Sequence, residues 1–82
     1  MKYIALFNTT IEAVKYRRKL ENLNIEAEAV PVPRELSASC GIAIIFSLDQ
    51  DPTAVVDRSV QELYCLKDDQ YIPILPNEER NN

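Results

Sequence analysis

The sequence contains no histidine, no tryptophan, a single glycine and only two cysteines in 82 residues. Without histidine, the chain lacks the commonest general base at neutral pH and the commonest metal ligand in proteins. One glycine, Gly41, is too few for a glycine-rich phosphate-binding loop. Two cysteines exclude both a disulfide-dense secreted scaffold and a four-ligand zinc site of cysteine and histidine. We therefore expect neither a metal site nor a cofactor.

The charge balance and the shortness of the apolar runs exclude further classes of function. The net charge is −4, with 13 acidic against 9 basic residues. Proteins that bind duplex nucleic acid usually need a basic surface, so we expect no such partner. No run approaches the roughly 20 apolar residues of a membrane span, and Lys15 and Arg17 interrupt the first twenty residues, which excludes a signal peptide there. We expect a cytoplasmic protein with reduced thiols and no membrane partner.

The length allows one domain, which we place at residues 1–76, followed by a polar tail at 77–82 that we expect to be disordered. The patterns of apolar residues within this domain predict four strands, at residues 2–8, 25–30, 42–47 and 71–75.

Two helices are predicted between these strands. The first spans residues 11–24, and Thr9 and Glu12 form its capping box. Its core-facing stripe consists of four residues: Ala13, Tyr16, Leu20 and Leu23. The second follows Pro52, and its apolar residues share one face: Val56, Val60, Leu63 and Tyr64. The order β-α-β-β-α-β is that of the ferredoxin-like plait. This α+β fold has a four-stranded antiparallel sheet with two helices on one face.

Cys40 is the first candidate for chemistry, because it lies between small and polar residues at the start of the most hydrophobic strand. Ser37, Ser39 and the local backbone N–H groups can hydrogen-bond an anion, and Arg34 lies six residues upstream. Gly41 permits close approach and backbone angles that other residues avoid. Such surroundings favour the thiolate, which is a minor species at neutral pH for a thiol of pKa ~8.5. The alternative, of equal weight, is a buried structural cysteine.

Two other features have structural explanations. Cys65 is expected to be inert, although a disulfide with Cys40 stays open. The basic residues of the first helix predict a solvated face with local ion pairs, such as Arg17 with Glu21. The alternative is a docking surface for an acidic partner. Ile11 and Val14 lie off the core stripe, where they cover a flank or meet a partner.

One long motif is specific. The segment VPVPRELSASCGIAI at residues 30–44, with FNTT at residues 7–10, resembles the selenium/sulfur (Se/S) carrier protein-like family of small bacterial proteins, formerly a domain of unknown function. The resemblance spans residues 3–75. It implies that Cys40 is a carrier thiol, which receives sulfur or selenium from a cysteine desulfurase or selenocysteine lyase and passes it to an acceptor enzyme.

The same resemblance implies roles for the neighbours of Cys40. Arg34, Ser37, Ser39 and Gly41 would stabilise the attacking or departing anion through charge and hydrogen bonds. A protein of this kind is a covalent carrier of a persulfide or perselenide rather than a turnover enzyme, and it needs no histidine.

Two alternatives stay open from the sequence. The first is a non-catalytic interaction or ligand-sensing module of the same fold. The second is a thiol redox switch in which Cys40 is oxidised or pairs with Cys65. Whether sulfur or selenium is carried, and whether the chain forms a homodimer, also stay open.

Overall fold

A computed structural model describes residues 1–36 and 41–75. Among the predicted site residues, Ser37, Ser39 and Cys40 lie outside the described residues, as does the predicted tail at 77–82. The elements in chain order are β1 (Lys2–Leu6), α1 (Thr10–Asn22), β2 (Ala27–Pro31), β3 (Ile42–Ser47), a 3₁₀ turn (Pro52–Val55), β4 (Glu62–Lys67) and β5 (Gln70–Leu75).

The strands form one antiparallel sheet in the order β2-β3-β1-β4-β5. Leu6, at the end of β1, lies opposite Ala43 of β3 on one side and Glu62 of β4 on the other. Pro31, at the end of β2, lies opposite Ile42. The end of β1, the end of β2 and the starts of β3 and β4 therefore meet at one end of the sheet. We call this the motif end.

The helix α1 covers one face of the sheet and begins at the motif end, because it follows β1 directly. Its N-cap is Thr9, as predicted, and its buried residues are Ala13, Tyr16 and Leu20. Leu23, predicted to be in the core, is the C-cap residue and is 52% exposed, so that part of the stripe was wrong. No helix within residues 1–36 and 41–75 has the length and hydrophobicity needed to cross a membrane.

The predicted second helix is absent from the described residues and is replaced by a single 3₁₀ turn. Asp51 caps this turn by accepting the N–H of Thr53 at 3.0 Å, and the chain becomes extended at Val56. Four of the eight residues at 53–60 are β-branched and one is serine, and these residue types favour the helix only weakly. Val56 and Val60 are therefore four residues apart, as on one face of a helix, without forming a helix.

A strand and a tight hairpin occupy the rest of that segment. In β4, Leu63 and Cys65 are buried while their neighbours are less so, which is the alternation of a strand. The hairpin to β5 turns at Asp68 and Asp69, whose φ angles of 53° and 63° match a two-residue type I′ turn. The α+β class with an antiparallel sheet is confirmed. The plait with four strands and two helices is not, because the described residues form five strands and one α-helix.

Both faces of the sheet carry buried apolar residues. The helix face contains the larger cluster, in which Tyr3, Phe7, Tyr16 and Phe46 form ring contacts with centroids 5.2–6.1 Å apart. The opposite face, which we call the far face, is centred on Ile4, Leu6 and Ala43 and is partly covered by the chain that leaves β2. This covering segment is the first part of the motif.

Candidate functional site

The motif leaves β2 through a turn that is anchored on the far face. The N–H of Leu36 donates to the carbonyl of Pro33 at 3.0 Å, closing a four-residue turn. The Leu36 side chain packs against the buried cluster of the far face, so one end of the segment 37–40 is fixed to the sheet. Arg34 lies in this turn and is exposed. Among the described residues it forms no ion pair.

The other end of the segment is fixed by Gly41. Its carbonyl accepts the N–H of Val32 at 3.4 Å, which prolongs the pairing of β2 with β3 beyond Ile42. Gly41 has no positive φ, so the freedom of glycine to adopt such an angle is not used here. Apart from its two chain neighbours, a Cβ at this position would meet no described atom within 4 Å. Gly41 therefore leaves open space beside its own Cα.

The first turn of α1 lies at the same end of the sheet as Gly41. The Oγ1 of Thr9 accepts the N–H of Glu12 at 3.2 Å, which confirms one of the two hydrogen bonds of the predicted capping box. One carboxylate oxygen of Glu12, Oε1, is buried without a hydrogen-bond partner among the described residues. A helix N-terminus carries a partial positive charge that favours nearby anions, and the Glu12 carboxylate balances part of it.

The structure thus brings Arg34 and Gly41, two of the five predicted site residues, to the motif end of the sheet. Val32, which is hydrogen-bonded to Gly41, precedes Arg34 by two residues. Ser37, Ser39 and Cys40 lie outside the described residues, so their part in the site stays a prediction. Within the described residues, no group of three acidic or cysteine side chains could hold a metal ion.

Cys65 has the surroundings of a structural cysteine. It is 7% exposed and belongs to the cluster on the helix face. Through Tyr3 of β1 it lies level with Phe46 of β3, five residues from Gly41. This corresponds to about 17 Å along the strands and about 10 Å across two strand spacings. Cys65 is a free thiol in the described part of the chain and lies far from Gly41, where the described part of the motif resumes.

One set of contacts was missed from the sequence, because it joins residues far apart in the chain. The Tyr16 hydroxyl donates to the Val55 carbonyl at 2.9 Å, and Lys19 forms an ion pair with Asp57 at 2.9 Å. Partial burial acts to raise the pKa of Asp57, but hydrogen bonds from Ser59 and Lys19 outweigh it and hold the pKa below its usual value. These contacts tie the segment between β3 and β4 to α1.

The ion pair between Arg17 and Glu21, at 3.3 Å, is the predicted i,i+4 pair. Two of the four basic residues of α1, Arg17 and Lys19, therefore have acidic partners. Lys15 and Arg18 have no ion pair with the described residues, and both are exposed.

The comparison with protein families decides which class of protein this site belongs to. Residues 2–56 match the family described as "Putative Se/S carrier protein-like". The chain belongs to this family. The match covers everything from β1 to the 3₁₀ turn, including the motif at residues 30–44, and leaves β4 and β5 outside. No curated protein and no solved structure matched the chain.

Proposed function

We propose that the protein carries a sulfur or selenium atom on Cys40, between a donor enzyme and an acceptor enzyme. The observation that carries the proposal is the family match over residues 2–56, which includes Cys40. Cys65 lies outside the matched residues and is buried in the core. Of the two thiols, Cys40 is therefore the one in the part of the chain that this family shares.

The reaction needs only an accessible thiolate. The Cys40 thiolate attacks the outer sulfur of a persulfide on the donor's cysteine. A new S–S bond forms on Cys40, the S–S bond of the donor breaks, and its electron pair leaves with the donor's cysteine as a thiolate. The proton of the persulfide stays with the transferred atom, and no external oxidant or reductant is consumed. A donor selenosulfide transfers selenium in the same way, and attack by an acceptor thiolate reverses the loading.

The described neighbours support this chemistry in three ways. Leu36 and Gly41, which flank the segment 37–40 in the chain, are both held on the sheet. The open space beside Gly41 leaves room for the donor's persulfide to approach. Arg34 is exposed near Gly41, and the first turn of α1 begins at the same end of the sheet, so both favour an anionic sulfur there.

The direct test is single-turnover transfer from a purified cysteine desulfurase loaded with radiolabelled sulfur. We expect label on the wild-type chain and on Cys65→Ser, and none on Cys40→Ser. Gly41→Ala is the informative further variant, because beyond its chain neighbours the added Cβ would meet no described atom, and we therefore expect the fold to keep its stability. This variant should slow sulfur transfer only if the donor enzyme approaches through the space beside Gly41.

Two results would count against the carrier function. Wild-type protein that takes up no label from several desulfurases or selenocysteine lyases would refute it. Label on Cys40→Ser equal to that of the wild type would move the carrier site away from Cys40.

A further inference from the structure

The outward side of α1 carries a patch that combines apolar and basic side chains. At about 100° per residue, Ile11, Val14, Lys15 and Arg18 fall within an arc of about 100°. This arc is centred opposite the buried stripe of Ala13, Tyr16 and Leu20, so the patch faces directly away from the sheet. We call these four residues the α1 patch.

The patch is exposed, although its N-terminal half is apolar. Ile11 is 67% exposed and Val14 is 42% exposed, which are high values for large aliphatic side chains. Neither residue belongs to the two buried clusters of the described residues. Exposed apolar residues beside charged ones are a usual composition of a protein-binding surface.

The charge of the patch is positive within an acidic protein. The chain as a whole has a net charge of −4, yet Lys15 and Arg18 add two positive charges to this surface. The other basic residues of the helix are neutralised locally, Arg17 by Glu21 and Lys19 by Asp57. The positive charge of α1 that is available to a partner is therefore concentrated on the α1 patch.

The position of the patch connects it to the proposed carrier site. Ile11 is in the first turn of α1, at the motif end of the sheet, and the patch extends from there about 10 Å along the helix to Arg18. A partner bound to the α1 patch would extend to the motif end of the sheet. Since carrying an atom requires two cysteines to meet, a docking surface beside the motif end is where such a partner must bind.

We propose that the α1 patch docks the donor enzyme through a surface on which acidic and apolar residues lie side by side. This inference rests on the proposed carrier function. The exposed apolar residues and the acidic balance of the whole chain favour a protein over nucleic acid. Acidic residues on the donor would pair with Lys15 and Arg18 next to an apolar contact with Ile11 and Val14.

The test compares two double charge reversals in the transfer assay with a cysteine desulfurase. Lys15→Glu with Arg18→Glu should lower the second-order rate constant of transfer about tenfold at low salt, and the deficit should shrink as salt is raised. The matched control reverses Lys2 and Lys67, which are exposed at the opposite end of the sheet. It makes the same change in net charge and should leave the rate constant within about twofold of the wild type.

Two further measurements separate docking from effects on the fold or the thiol. Circular dichroism and the urea midpoint should be the same for both charge-reversal variants. The rate at which iodoacetamide alkylates Cys40 should also be unchanged in Lys15→Glu with Arg18→Glu, because the patch acts on the partner. Val14→Ser should raise the KM for the carrier without changing that alkylation rate.

The outcomes distinguish this inference from the function it rests on. Equal transfer by the wild type and by the patch variant would overturn the docking surface and leave the carrier function standing. Equal slowing by the patch variant and its control would show that net charge alone matters, which also overturns it. A wild-type chain that accepts no sulfur would refute both.

Discussion

Removing the hydroxyl of Tyr16 tests how the segment between β3 and β4 is held without a second helix. The Tyr16 hydroxyl is buried and donates to the Val55 carbonyl at 2.9 Å. A net contribution of about 1 kcal/mol is typical of such a bond. The Val55 oxygen also accepts from the Lys19 ammonium at 3.3 Å, so in Tyr16→Phe it keeps one partner. We therefore expect a loss of about 1 kcal/mol, against the roughly 4–12 kcal/mol expected for a domain of this size.

The assay is urea unfolding followed by circular dichroism, with a thermal scan in which this loss lowers the Tm by about 4–8 °C. Tyr3→Phe is the matched control, because Tyr3 is also buried against Phe46 but its hydroxyl, within the described part of the chain, has only the Met1 sulfur as a hydrogen-bond partner, at 4.0 Å. It should lose less than about 0.5 kcal/mol. Equal losses in the two variants would refute the role of the bond to Val55. A loss of about 3–5 kcal/mol in Tyr16→Phe, as expected for truncation to alanine, would mean that the ring had repacked.

Three further predictions concern stability. Because the pKa of Asp57 is lowered in the folded state, its contribution is present above its usual pKa of 3.8 and is lost as the pH falls through the lowered value. Asp57→Asn should therefore lose about 0.5 kcal/mol at neutral pH, and its urea midpoint should converge with that of the wild type in acid; a constant difference would contradict the linkage. Asp69→Gly should raise the free energy of unfolding in urea by about 0.5 kcal/mol, because Asp69 has a φ of 63°, which glycine adopts without strain; a lower free energy of unfolding would contradict the strained turn. Cys65→Ala should lose about 1 kcal/mol of stability and keep full sulfur transfer; lost transfer at unchanged stability would contradict its structural role.

Local signals were sufficient for the first half of the fold. Thr9 and Glu12 marked the start of α1, and the apolar stripe was correct through Leu20. The uninterrupted apolar residues at 3–7 and 42–46 predicted strands, and the structure places both, β1 and β3, in the interior of the sheet. In each case one period dominated the pattern.

The strands predicted at residues 42–47 and 71–75 are confirmed as β3 and β5, but the segment between them was predicted wrongly because two periods fitted the same residues. Leu63 and Tyr64 continue a helical spacing from Val56, but Leu63 and Cys65 also alternate as a strand. The helix does not form because contacts with a distant part of the chain stabilise the 3₁₀ turn instead. Tyr16 and Lys19 donate hydrogen bonds to this turn at sequence separations of 39 and 36 residues. No local pattern contains that information.

For the candidate site, the motif indicated the residues but could not indicate their surroundings. The sequence identified Arg34 and Gly41, and the structure brings both to the motif end. It could not reveal that Leu36 packs on the far face, since that contact depends on strand order. The exposure of Ile11 and Val14 was a weak signal, because a second helix or a partner would explain it equally well.

The central claim, that Cys40 is the reactive thiol of the protein, is tested most directly by alkylation of both cysteines over a pH series. Peptide mass spectrometry would follow each thiol separately in the folded protein. The account predicts that Cys40 reacts in the native state with an apparent pKa below ~8.5, and that Cys65 reacts only on unfolding. If instead Cys40 stays unreactive until the protein unfolds, the thiol is structural and the account is contradicted.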